Sequence, residues 1–218
     1  MKTKPTLALP VATVLVLLSA SAMAQVTFYT SKAAFDAAAS TTLLEDFEAF
    51  SPKNANLGTF TLHGLTYTSL NSYHLWVDGP GYTTWGAGCP IPNATSILVA
   101  NGDEDFTAAF STPPSALGFD TYLNGLGPAT VKVFNGTTIL GTFTYPGTAN
   151  DKEYLGIVST VPITSIRWTS TLGRQLDTGI DNISVAVVPE PSAIGLALVV
   201  IGLLGSILRC RRPGYKQI

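Results

Sequence analysis

Aromatic rings and carboxylates are the side chains of this 218-residue chain whose types and spacing suit chemistry. Tyr73, Trp76, Tyr82 and Trp85 fall in a glycine-rich stretch, 72–88, with Asn71 and Asp78 beside them. Aromatic faces stack on sugar rings while neighbouring polar groups bond hydroxyls, so Trp76, Tyr82 and Trp85 form a candidate glycan-binding set. Filling a core is the competing role for at least two of these four rings, and the sequence leaves both open. Acidic side chains cluster at Glu45, Asp46 and Glu48, where strand alternation puts Asp46 and Glu48 on one face and Glu45 and Phe47 on the other. A second cluster, Asn101-Gly102-Asp103-Glu104-Asp105, reads as a solvated hairpin tip, because it lacks the longer spacing and distal glutamate of an EF-hand loop.

Patterns for catalysis are missing. His63 and His74 are the only histidines, and there is no Gly-x-Ser-x-Gly elbow, His-Glu-x-x-His helix, Walker loop or dinucleotide fingerprint. The expectation is a non-enzymatic protein. A secreted polysaccharide-acting hydrolase, which needs two opposed carboxylates, stands as the alternative. Residues 25–188 carry six Lys and Arg against 13 Asp and Glu, a balance of −7. That charge argues against nucleic acid and suits a divalent cation or a neutral polysaccharide. No cofactor is certain from the residues.

The elements that must hold these groups are short and mostly β. Strands are expected at 43–47, 65–69, 96–100, 106–110, 116–121, 129–134, 139–145, 154–158, 163–169 and 180–187, with Val26 and Phe28 opening an earlier one. Asn135-Gly136 between two apolar runs signals a type I′ hairpin. One helix is expected, 32–39, rich in Ala and capped by Thr30 or Ser31. Such spacing without βα alternation gives an all-β chain, an antiparallel β-sandwich with one short N-terminal helix.

The two ends read as export signals. Residues 1–24 have the basic start (Lys2, Lys4), apolar middle and Ala22-Met23-Ala24 cleavage pattern of a signal peptide, leaving 25–187 as the exported domain. Val188, Pro189, Glu190 and Pro191 form a rigid extended motif. Seventeen uncharged residues follow, 192–208, enough for a short transmembrane helix. Arg209, Arg211 and Arg212 then act as a cytoplasmic stop before the tail 213–218. Cys89 and Cys210 therefore lie on opposite sides of a membrane and cannot pair. This layout, 188–212, resembles the PEP-CTERM sorting signal of bacterial surface proteins. The resemblance implies signal peptidase and an exosortase-type sorting peptidase as partners. It also implies inner-membrane anchoring before processing, and then a place in the cell envelope or an exopolysaccharide-rich matrix.

A second resemblance covers the domain. The segments 44–48, 116–120 and 179–183 look like the jelly-roll domains of many PEP-CTERM proteins, and the first and last are similar to the opening and closing strands of carbohydrate-binding jelly rolls. In such folds those two strands lie side by side. That arrangement implies Asp46 and Glu48 near Asp181, a hard-oxygen set suited to a structural calcium ion. Capping of turns by the same carboxylates is the alternative.

Overall fold

Alternation of apolar with hydroxyl and charged side chains sets the strands, and burial of the apolar set stacks them. A computed structural model describes residues 26–70, 75–81, 94–100, 105–170 and 179–186. In chain order the described elements are β1 (Val26–Tyr29), α1 (Lys32–Ala38), β2 (Thr42–Glu45), β3 (Phe60–Leu62), β4 (Leu65–Ser69), β5 (Leu75–Asp78) and β6 (Ile97–Ala100), followed by β7 (Asp105–Phe110), β8 (Ala116–Asn124), β9 (Ala129–Asn135), β10 (Thr138–Tyr145), β11 (Asn150–Ser159), β12 (Ser165–Ser170) and β13 (Gly179–Ala186). They form two antiparallel sheets. One has the order β1-β11-β8-β13-β6-β5, with β2 also paired to β13; the other is β10-β9-β12-β7-β4-β3.

The expected sandwich is therefore present, with two strands the sequence reading did not resolve. β3 is only three residues long, and β5 lies in the glycine-rich stretch 72–88, where no strand was expected. The opening and closing strands do lie side by side: Ile183 faces Glu45 and Val185 faces Thr42. Between the sheets lie Leu75, Val77, Leu98, Leu117, Phe119, Leu155 and Ile157 from one, and Tyr67, Phe106, Val131, Val133, Tyr145, Ile166 and Trp168 from the other. Trp168 is fully buried.

Two hairpin turns show how local chemistry chooses backbone sign. Asn135 faces Thr138, so the turn residues are Gly136 and Thr137, and only Gly136 takes a positive φ, 58°. That is the sign pattern of type II′, not the type I′ expected. The type I′ pattern appears instead at His63-Gly64 between β3 and β4, with φ values of 45° and 80°. Histidine is among the non-glycine residues that enter this region most readily, and the pairing of Leu62 with Leu65 closes the turn.

At seven residues α1 cannot be stable by itself. Ser31 occupies its N-cap with extended backbone, but its hydroxyl makes no capping bond; the helix is held by Phe35, fully buried. Phe35 lies over Gly118 and Gly156, on the outer face of the seven-stranded sheet. Among the described residues no helix is long and apolar enough to cross a membrane. The expected signal peptide, sorting motif, transmembrane helix and arginine stop all lie outside them.

Candidate functional site

α1 covers one half of the outer face of the seven-stranded sheet, and the other half holds most of the polar chemistry. In β5 the alternation buries Leu75 and Val77 in the core and turns Trp76 and Asp78 outward. Trp76 opens a row that register carries across the sheet: Trp76 faces Val99, Val99 faces Gly179, Gly179 faces Tyr122, and Tyr122 faces Lys152. Trp76 is half-buried and packs beside Ile97, Val99 and Tyr122, in a small cluster separate from the main core. A Cβ on Gly179 would lie 2.5 Å from the Leu98 carbonyl oxygen, so this row needs glycine at its centre.

The adjoining row is acidic. Asp181 faces Asp120 directly, a like-charge pair that costs stability unless something separates it. Asn182 does so, its Nδ2 donating to Asp120 Oδ2 at 2.9 Å and Asp181 Oδ2 at 3.0 Å. Reaching both puts Asn182 in the left-handed region, φ 52°, where β13 bulges. Lys152 Nζ sits 2.9 Å from Asp120 Oδ2 and 5.4 Å above the Tyr122 ring. Burial lowers the Lys152 ammonium, but the Asp120 contact outweighs it and holds the group above its usual range. Asp181 is fully buried. Burial pushes its carboxyl up to about 6, although the Thr95 hydroxyl (2.7 Å to Oδ2) and the Asn182 N–H (2.7 Å to Oδ1) pull against the rise.

The other sequence candidates are placed as follows. Asp46 Oδ1 accepts from the Glu48 N–H at 3.1 Å, a local turn bond. Glu48 accepts from the Ser96 N–H at 2.7 Å and the Ser96 hydroxyl at 3.1 Å, with Lys53 Nζ 3.5 Å away. The Ser96 amide chiefly holds the Glu48 carboxyl below its usual range. Glu48 and Asp181 thus hold neighbouring residues, Ser96 and Thr95, and do not share a donor set with Asp46. Among the described residues no three His, Cys, Asp or Glu side chains are grouped to hold a metal ion. Tyr82 and Trp85 lie outside the described residues.

Sequence reasoning passed over Glu45. Its carboxylate is buried, accepting from the Phe47 N–H at 2.5 Å and from His63 Nδ1 at 2.7 Å. Glu45 belongs to one sheet and His63 to a hairpin of the other, so the pair clasps the sandwich. His63→Ala should cost about 1–3 kcal/mol by leaving a buried carboxylate short of a donor, although the histidine itself is exposed. Urea unfolding of parent and variant measures this; equal midpoints would show that Glu45 needs no partner.

No family model and no curated protein matches this chain. Among solved structures, a family 29 carbohydrate-binding module aligns at 16% identity and TM-score 0.36, over 66% of this chain and 86% of the module. A variant of that module crystallised with mannohexaose aligns at 16% and 0.36, over 67% and 91%. The catalytic domain of a family 87 α-1,3-glucanase in complex with tetrasaccharides aligns at 16% and 0.36, over 70% of this chain but 29% of that one. At these values none of the alignments transfers a ligand or a residue role.

Proposed function

We propose that this chain is an exported envelope or matrix protein whose jelly-roll-like domain holds glycan without cleaving it. The observation that carries the reading is the position of Trp76. It stands half-buried on an edge strand's outer face, outside the main core, on the face that also carries Lys152 and Asp120, while Asp78 on that face is fully buried. A ring on a rigid sheet face that also presents hydrogen-bonding groups further along it is what binding an extended sugar chain requires. Tyr82 and Trp85 follow β5 by only a few residues and belong to the same proposal.

The hydrolase alternative would draw on the Asp120–Asp181 pair. Asp181 is fully buried and both its oxygens are already bonded, so it offers nothing to a substrate. Binding is the reading that uses the groups that reach solvent. Sorting through Val188–Pro191 and the 192–208 helix belongs to the same proposal. In its support, β13 ends at Ala186, so the motif would follow the folded domain directly.

The test is retention of the full chain, in detergent, by polysaccharides cast into a native gel. The parent should be retarded by a neutral glycan and release no reducing ends from it. Trp76→Ala should weaken retention about tenfold, the loss of one stacking contact of about 1.4 kcal/mol. Unchanged retention in the variant would remove the site, and released reducing ends would restore the hydrolase.

A further inference from the structure

The six-stranded sheet turns its other face outward, and that face is built of hydroxyls. By register, Thr142 faces Lys132, Lys132 faces Arg167, Arg167 faces Thr107 and Thr107 faces Thr68. Thr68 in turn bonds Thr59 at 3.3 Å, just before β3. This row crosses the whole sheet, and every member is at least partly exposed. Further threonine rungs flank it, Thr61 with Thr66 at 2.9 Å and Thr130 with Thr144 at 3.2 Å.

In the middle of the row two cations stand directly opposite one another, an arrangement that costs stability. Arg167 is neutralised by a two-pronged pair with Asp105, both contacts 2.8 Å. Lys32, Lys53 and Lys152 likewise each have a carboxylate within reach. Among the described residues Lys132 alone has no carboxylate partner, on a domain with a balance of −7 and carboxylates to spare. The charge missing from this face is negative, and nothing described in the chain supplies it.

We infer that this face docks an acidic polysaccharide, with a uronate carboxylate on Lys132 and sugar hydroxyls on the flanking threonines. Strands lie ~4.8 Å apart, so the row presents a polar contact, hydroxyl or cation, at each step along an extended chain. A protein partner would want a broad apolar patch, and the apolar residues of this face, Ile139, Phe134 and Ala109, form a single row broken by Ser165. Nucleic acid needs many cations side by side, whereas among the described residues this face offers one unpaired cation, enough for a single carboxylate. The surface lies on the opposite side of the sandwich from Trp76 and stands or falls separately from that site.

The experiment uses the full chain in detergent and two gel-immobilised probes, polygalacturonate and the same polymer with its carboxyls reduced. At low salt the parent should be retained by polygalacturonate, and much less by the reduced polymer or at high salt. Lys132→Glu should weaken retention at least about fivefold, or about 1 kcal/mol at 1.4 kcal/mol per tenfold. Lys132→Arg should keep it. Trp76→Ala should leave polygalacturonate retention unchanged whatever it does to neutral glycan. The inference is overturned if the parent ignores polygalacturonate, if the reduced polymer binds equally, if Lys132→Glu binds like the parent, or if Trp76→Ala abolishes the acidic interaction. Melting temperatures of the two Lys132 variants should match or exceed the parent's, since Lys132 has no partner to lose.

Discussion

Replacing Gly156 by alanine should lower the melting temperature by about 5–10 °C, corresponding to about 2–3 kcal/mol of overpacking in a domain of this size. A Cβ there would lie 2.5 Å from both Cγ and Cδ2 of Phe35 and 2.7 Å from its Cβ. The Phe35 Cβ is anchored by α1, so the ring cannot simply swing aside. Either the helix lifts or the β11 backbone shifts. If it lifts, Phe35 loses its place and the outer face beside Tyr29 and Tyr154 is opened. Phe35→Ala should also destabilise, by exposing that pocket. The decisive measurement is the double variant: because the second change removes two of the three atoms that the first one strikes, leaving only the Phe35 Cβ, its cost should be less than the sum of the two. Additive costs would mean that α1 does not rest on Gly156.

Across the range from about pH 4 to about pH 6 the folded protein should lose stability on account of Asp181, by roughly 3 kcal/mol at 1.36 kcal/mol per unit. An aspartate in the unfolded chain titrates near 3.8, whereas burial keeps Asp181 protonated up to about 6. Between those values the unfolded chain releases its proton first, which favours unfolding as pH rises; above the folded value the loss is complete. Glu48 acts in the opposite sense, since its carboxyl is held low and its contribution disappears as pH falls. It is well exposed, and the effect is small. Asp181→Asn isolates the buried group, because the amide still accepts from the Asn182 N–H and never ionises. The difference in stability between parent and variant, followed by denaturation over this range, should change by that roughly 3 kcal/mol in the variant's favour as pH rises. Parallel profiles would show that Asp181 ionises freely in the fold.

Much of the sandwich was legible because strand alternation is a local property. The expected runs at 65–69 and 129–134 match β4 and β9 closely, since apolar residues at every second position leave one arrangement that buries them all. Leu75–Asp78 was harder to see: four residues set among glycines carry too little periodicity, and pairing with β6 and the bridge to Leu57 makes it a strand. The turn at Asn135-Gly136 was read correctly as a hairpin but one residue out of phase, because register is set by both strands and not by the turn dipeptide.

By itself the sequence determined the fold class, the apolar faces and the acid balance of the domain, all of which follow from residue type and near-neighbour spacing. The pairing of the opening with the closing strand came from the jelly-roll resemblance and not from residue spacing. Only the tertiary structure decided which groups meet: Asp181 with Asp120, Glu45 with His63, and Lys132 with Arg167, 35 residues apart in sequence yet directly opposite across two strands. Those meetings depend on strand order within each sheet. Alternation is indifferent to strand order, because any order that buries the same faces satisfies it equally well.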